Sequence, residues 1–205
     1  MVKVKICGIT NLEDALAAVD FGADALGFVF FKGSPRFISP EAAAAIIGKL
    51  PPMVQTIAVV VDESPEDIVK IVSAAGAGVV QLHGDEPPGA CSICRRVIKA
   101  IRVKSLDSLS PLARFKDRVS AFLLDTYTPE KLGGTGMIFN WDIAVEAKRF
   151  GRIILAGGLT PDNIAGAVRH VRPYGVDVSS GVELTKGKKD LQKMKLFIER
   201  AKGAI

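Results

Sequence analysis

Short apolar runs and longer amphipathic stretches alternate along the whole chain. The runs Val2–Ile6, Ala25–Phe30, Gln55–Val61, Val79–Leu82, Val97–Val103, Ala121–Asp125, Arg152–Ala156 and Gly175–Val178 are brief and rich in Val, Ile and Ala. Near-continuous hydrophobicity over so few residues fits strands buried on both faces of a parallel sheet. Between them, Asn11–Phe21, Pro40–Leu50, Pro65–Ala75, Pro87–Arg95, Ser108–Phe115, Asn140–Lys148, Pro161–Val171 and Asp190–Lys202 place apolar residues at helical spacing. Ser39-Pro40-Glu41, Ser64-Pro65-Glu66 and Thr160-Pro161-Asp162 each set a capping residue before a proline suited to the first helical position. Gly22 and Gly76 supply stop signals.

Eight strand–helix units in 205 residues predict a single-domain (β/α)8 TIM barrel spanning residues 1–205, with most loops short. An open doubly wound sheet would carry a G-x-G-x-x-G fingerprint after its first strand, and Gly8-Ile9-Thr10-Asn11 has none. The glycines lie instead at the far end of the chain. Gly157-Gly158 and Ser180-Gly181 each follow an apolar run and precede a stretch that reads as helix. Small residues there leave backbone N–H groups open to one anion, and helix N-termini add positive partial charge. In a barrel, the loops after the last two strands build a phosphate cup. Two longer connections, Phe31–Ser39 and Thr126–Phe139 with its Gly133-Gly134-Thr135-Gly136, also follow strands and so belong to the same C-terminal mouth.

Composition narrows the function classes. A net charge of +5 favours an anionic ligand, yet no interleaved basic and aromatic surface suggests nucleic acid. The densest basic run, Lys186 to Lys195, reads as a solvated helix face. No apolar stretch approaches the roughly 20 residues that cross a bilayer, and the first residues read as a strand rather than a signal peptide. Three cysteines, an odd number, suit reduced thiols in the cytoplasm. Cys91 and Cys94 form a C-x-x-C, but helical packing accounts for them as small hydrophobes and no second pair completes a zinc site. Both Pro51-Pro52-Met53 and Met137-Ile138 offer apolar contacts to a second copy, so the chain is expected as a monomer or a homodimer.

Polar residues close four of the strands: Cys7 after the first, His83 after the fourth, Asp125 at the end of the sixth and Asp177 in the eighth. An ionisable group at the C-terminal end of a barrel strand faces the pocket as a rule. Each also has a plainer role: a small buried Cys7, a loop-capping Asp125, a structural His83, an Asp177 that orients the Ser179-Ser180 loop. Closure of the barrel sets strand one beside strand eight, so Cys7 and Asp125 would flank the phosphate from opposite sides. A thiol and a carboxyl so placed form a base and an acid across one substrate. Arg36, beside Phe31 and Phe37, suits a planar carboxylate, although a surface loop arginine has the same sequence appearance.

Seven motifs in order resemble the phosphoribosylanthranilate isomerases of the tryptophan pathway. They are Lys5-Ile6-Cys7-Gly8-Ile9-Thr10, Gly27-Phe28-Val29-Phe30 with Ser34-Pro35-Arg36, Val80-Gln81-Leu82-His83-Gly84, Leu123-Leu124-Asp125, Gly133-Gly134-Thr135-Gly136, Ala156-Gly157-Gly158-Leu159 and Asp177-Val178-Ser179-Ser180-Gly181-Val182-Glu183. The resemblance covers essentially the whole chain. It implies N-(5-phosphoribosyl)anthranilate as substrate, a phosphorylated and carboxylated small molecule, and an Amadori rearrangement as the reaction. It places the general base on Cys7, the general acid on Asp125 and the anthranilate carboxylate on Arg36. Gly157, Gly158, Ser180 and Gly181 fall on the phosphate, with His83 and Asp177 in supporting places, and no metal or organic cofactor is implied. Asn140, where aspartate is frequent, and the apolar Met137-Ile138 depart from the family pattern in the sixth loop, away from the Cys7 and Asp125 pair.

Two other readings keep the phosphate cup. A histidine-pathway aminoaldose isomerase would use a carboxylate pair on strands one and five, but here strand one ends in Cys7 and strand five has no carboxylate. A non-catalytic phosphosugar-binding barrel explains the glycine loops and Arg36, yet gives no reason for a thiol and a carboxyl across the phosphate.

Overall fold

The computed structural model describes residues 1–126 and 140–204. Eight parallel strands, β1 (Lys3–Cys7), β2 (Ala25–Val29), β3 (Gln55–Val60), β4 (Val79–Leu82), β5 (Val97–Val103), β6 (Ala121–Thr126), β7 (Ile153–Leu155) and β8 (Gly175–Val178), close into one barrel in sequence order. Closure runs through β1, which pairs with β2 on one side and β8 on the other. The expected (β/α)8 barrel is the fold.

Alternation along each strand explains why the runs look apolar on both faces. On β3, Ile57 and Val59 point into the barrel with Ile98, Ala100, Leu123 and Ile154. Ala58 and Val60 point outward with Leu26, Phe28 and Phe122, against the helical layer. β1 follows the same period: Val4 and Ile6 join the outer core, while Lys5 and Cys7 share the inner face.

Helices α1 (Leu12–Asp20), α2 (Pro40–Ile47) and α3 (Pro65–Ala75) begin where the capping signals put them. Asn11, Ser39 and Ser64 each accept a hydrogen bond from a first-turn N–H, and Pro40 and Pro65 open α2 and α3. Farther along, the expected helices shrink. Pro87–Arg95 holds only a 3-10 segment, Pro88–Ser92, because two prolines and Gly89 remove the donors and stiffness an α-helix needs. Ser108–Phe115 becomes a 3-10 turn at Leu106–Leu109 followed by the single-turn α4 (Leu112–Phe115), divided at Pro111. The sixth expected helix is α5 (Asp142–Ala147) running into a 3-10 turn.

Two differences touch the mouth. The helix expected from Pro161 starts at Ile164, as α6 (Ile164–Val171). Residues 161–163 form a turn instead: Asn163 accepts from the Thr160 N–H at 2.9 Å and donates to the Gly158 carbonyl at 2.9 Å. After β8 there is a short 3-10 turn (Ser180–Val182) and then a hairpin, β9 (Glu183–Thr185) with β10 (Lys188–Lys189), which sequence periodicity did not indicate. The last helix, α7 (Leu191–Lys202), follows, capped by Asp190.

Cys91 and Cys94 are unpaired thiols, Cys91 inside the outer core. Met53 is 92% exposed. Met137-Ile138 and the Gly133-Gly134-Thr135-Gly136 loop lie outside the described residues. No helix among the described residues is long and apolar enough to cross a membrane.

Candidate active site

One cavity opens at the C-terminal end of the barrel. Cys7, Arg36, His83, Asp125, Gly157, Gly158, Asp177, Ser180 and Gly181 all line it, so every candidate residue named from the sequence meets in one place. Val29, Phe31, Val59, Val61, Leu159 and Val178 supply apolar walls. Strand ends position the polar side chains: Cys7 on β1, Asp125 on β6 and Asp177 on β8, with His83 just past β4.

The cup at the last two strands is made of backbone. Gly157 and Gly158 take positive φ of 78° and 66°, and a Cβ on Gly157 would come within 2.8 Å of an Asp125 carboxylate oxygen. Among the described residues no backbone acceptor takes the N–H groups of Gly157, Gly158, Ser180 or Gly181. Donors turned into a cavity from consecutive small residues form an anion-binding concavity. The later start of α6 moves its dipole away from the cup, so the loop N–H groups carry the attraction more than a helix end does. The Asn163 bond to Gly158 braces that loop. Ser179 Oγ and Thr126 Oγ1, both buried, have no hydrogen-bond partner among the described residues, and Ser179 lines the cavity. Buried hydroxyls without partners are rare in proteins, and a bound oxygen-rich ligand would satisfy them.

On the opposite wall, Asp125 Oδ1 accepts from the Thr126 N–H at 2.8 Å, while Oδ2 stands 3.4 Å from His83 Nε2. His83 Nδ1 in turn lies 2.8 Å from Gln81 Nε2. The imidazole thus sits between a buried amide and the carboxylate, a contact that strand spacing had not suggested. The loop that Asp125 would cap in the plainer reading lies, past Thr126, outside the described residues; the bond to Thr126 is to the adjacent N–H.

Arg36 differs most from expectation. Its Nε and Nη2 donate to the two oxygens of Glu183, both at 2.7 Å. Lys189 reaches the same carboxylate at 3.2 Å and donates to the carbonyls of Cys7 at 2.6 Å and Ser179 at 3.3 Å. The Lys186–Lys195 run is therefore no uniform solvated face, since Lys189 is 2% exposed beneath the mouth. The hairpin carries both Glu183 and Lys189 into these contacts. Hydrogen bonding to Glu183 raises the Arg36 pKa. Burial pushes Glu183 up, but Arg36 and Lys189 outweigh it and hold the carboxyl below its usual range. Guanidinium has five N–H donors and Glu183 takes two, so a fork remains for a ligand carboxylate. Glu183 and Lys189 were missed as site residues because only the third dimension brings the hairpin under the first strand.

Lys5 was missed as well, though a signal existed: two residues before Cys7 on a strand means the same face. Its Nζ donates to Asp177 Oδ1 at 2.8 Å, with the side chains 4% and 9% exposed. Burial lowers the Lys5 pKa, but Asp177 and Cys7 overcome this and leave it raised. The Cys7 thiol is pushed up by burial, with Lys5 and Lys189 pulling down and Asp177 opposing them. Among the described residues, no group of three or more His, Cys, Asp or Glu could hold a metal ion.

Fold and cavity together define a (β/α)8 barrel with an anion cup at β7–β8, and a thiol and a carboxyl on the strands flanking it. The sequence profile for N-(5'-phosphoribosyl)anthranilate (PRA) isomerase matches residues 4–200. The N-(5'-phosphoribosyl)anthranilate isomerase of Geobacter sulfurreducens is 57% identical over 99% of this chain and 100% of its own. That of Pelobacter propionicus is 60% identical over 98% of this chain and 96% of its own. Among solved structures, phosphoribosyl anthranilate isomerase from Thermotoga maritima superposes with a TM-score of 0.93 at 46% identity, covering 99% of this chain and 100% of that one. A phosphoribosyl anthranilate isomerase in complex with reduced 1-(o-carboxyphenylamino)-1-deoxyribulose 5-phosphate gives a TM-score of 0.90 at 44% identity, with 99% and 100% coverage. The chain belongs to the N-(5'-phosphoribosyl)anthranilate isomerase family.

Proposed function

We propose that the chain converts N-(5'-phosphoribosyl)anthranilate into 1-(2-carboxyphenylamino)-1-deoxyribulose 5-phosphate, an Amadori rearrangement in tryptophan biosynthesis. The observation that carries this is the meeting of Cys7, Asp125, Arg36 and the Gly157–Gly158 and Ser180–Gly181 loops on one cavity, in a chain of this family.

The phosphate sits on the N–H groups of the two loops, and Arg36 takes the anthranilate carboxylate with the donors Glu183 leaves over. Asp125 protonates the ribose ring oxygen as the anilino nitrogen lone pair opens the ring to a Schiff base. The cationic imine acidifies the C2–H bond. Cys7, as thiolate, removes that proton, and the bonding pair moves toward nitrogen to give an enolamine that tautomerises to the ketone. No electron is gained or lost overall, so the step calls for no external oxidant or reductant. His83 supports Asp125 from the side facing away from Thr126, and Asp177 acts through Lys5.

Mixing purified protein with enzymatically generated N-(5'-phosphoribosyl)anthranilate should change the anthranilate fluorescence at a rate proportional to protein. A static signal with intact binding of the ribulose phosphate would leave only a binding barrel. Turnover restricted to the histidine-pathway aminoaldose would replace the substrate assignment.

Two further readings go with this one. Three unpaired thiols suit a reducing cytoplasm. A homodimer is supported by the exposed Met53 beside Pro51-Pro52, and the Thermotoga maritima relative is described as dimeric. Sedimentation of the native protein and of Met53→Asp should give a dimer and a monomer respectively; a native monomer contradicts it.

A further inference from the structure

The base proposed above must lose a proton inside a mostly apolar barrel, and burial opposes that loss. We propose that Lys5, anchored by Asp177, is the positioning cation that favours proton loss from Cys7 and holds its sulfur toward the pocket. This rests on the reading of Cys7 as the base, though its test does not.

Register brings the three groups together. Lys5 pairs directly with Asp177 across β1 and β8, and Cys7 pairs with Gly27 across β1 and β2. Lys5 and Cys7 are two residues apart on one strand and face the barrel interior, and Sγ and Nζ both lie over the Cα of Gly27 on the neighbouring strand. Gly27 makes the room: a Cβ there would stand 2.8 Å from Sγ and 3.0 Å from Nζ. A larger residue at that position would have to displace the sulfur, the ammonium or both.

The surrounding charges single out Lys5. On the inner face of β8 lies Asp177, an anion. Arg36, in the loop after β2, and Lys189, in β10, are cations, but both are tied to Glu183 of β9. Lys189 meets Cys7 at its backbone carbonyl rather than at sulfur. Asp125 and His83 line the far side of the cavity. Lys5 is therefore the cation placed against the sulfur whose partner, Asp177, lies on its other flank. Take the ammonium away and the thiol faces the Asp177 carboxylate with only Lys189, itself tied to Glu183, left to oppose it. Asp177 acts through Lys5, fixing the ammonium in place, and contributes nothing favourable to the thiolate directly.

The test follows alkylation of Cys7 by iodoacetamide against pH, with the Cys7 peptide resolved by mass spectrometry from those holding Cys91 and Cys94. In Lys5→Met the midpoint should rise by at least about one pH unit, a tenfold loss of thiolate at any pH well below it. The kcat/KM of the variant should fall about tenfold near neutrality and recover as pH rises, which a merely structural role would not produce. Gly27→Ala, which keeps both groups but displaces one or both of them, should move the midpoint the same way and serves if Lys5→Met does not fold. A midpoint unchanged in whichever variant folds overturns the proposal. Full turnover in Cys7→Ser with the midpoint still shifted in Lys5→Met would instead remove Cys7 as base and leave its pairing with Lys5 intact.

Discussion

Two buried charge clusters occupy opposite sides of the barrel, and they differ in what they leave unsatisfied. On the β4–β5 side, Lys99 donates to Glu86 at 2.8 Å and to the Gly84 carbonyl at 2.7 Å, with the Leu82 carbonyl at 3.5 Å. Glu86 accepts in addition from the N–H groups of Asp62 and Gly84. Each side chain is 3% exposed and every strong donor and acceptor is used. On the β1–β8 side, Lys5, Asp177, Arg36, Glu183 and Lys189 are also paired, but Arg36 keeps spare donors. A thiol sits among them, and Ser179 Oγ has no partner among the described residues. A closed set of charges holds a strand junction, whereas an open one is ready for a ligand. Burial and charge alone do not separate them.

The comparison can be broken most severely at the open cluster. Cys7→Ala and Asp125→Asn should each cut kcat by about 10²–10⁴, the span of a lost general acid or base, while product binding stays within about tenfold, ~1.4 kcal/mol. Steady-state kinetics with a titration of the product measures both. Near-normal turnover in either variant removes that residue from the chemistry.

At the closed cluster the effect should fall on stability instead. Lys99→Met strands the Glu86 carboxylate, and removing one partner of a buried pair costs about 3–5 kcal/mol. Denaturant unfolding should show that loss, with kcat of the folded protein within a few-fold of native. The pH dependence has a definite sign. Burial raises the Glu86 pKa, but Lys99 and the two backbone donors more than offset this and leave it lowered. The stabilisation is thus fully present above the unfolded carboxyl pKa of about 4.3 and is lost as pH falls through the lower folded value. Glu86→Gln should flatten that acid limb.

Much of this was legible in the chain and some of it was not. Apolar runs set the strands to within a residue or two, because strands buried on both faces leave a continuous signature. Caps at Ser39 and Ser64 gave α2 and α3 their starts, since a local hydrogen bond decides them. Pro87-Pro88-Gly89 and Pro111 carried the information that two helices would be cut short, but apolar spacing masked it. Candidate residues at strand ends were readable because barrel geometry sends them all to one mouth. The Glu183–Arg36 and Lys189–Cys7 contacts were not, since they join residues 147 and 182 positions apart. The Lys5–Asp177 pair, by contrast, follows from strand adjacency and period two.

Smaller effects sharpen the open cluster further. Arg36→Met should raise KM about tenfold to a hundredfold with kcat little changed, the cost of a hydrogen bond to a charged group being about 1.5–3 kcal/mol. An unchanged KM would take Arg36 off the carboxylate. The pH profile should move least. Because burial raises the Cys7 pKa, thiolate is scarce at low pH. The acid limb of kcat/KM should therefore climb through neutrality, and it should match the alkylation midpoint of Cys7.

The central claim is that one substrate bridges the cup, Arg36 and the Cys7–Asp125 pair, and a crystal structure with the reduced ribulose phosphate product tests it most directly. The account predicts its phosphate on the N–H groups of Gly157, Gly158, Ser180 and Gly181, its carboxylate on Arg36, and Cys7 Sγ about 3–3.5 Å from C2. A phosphate bound elsewhere, or a sulfur turned away from C2, would contradict it.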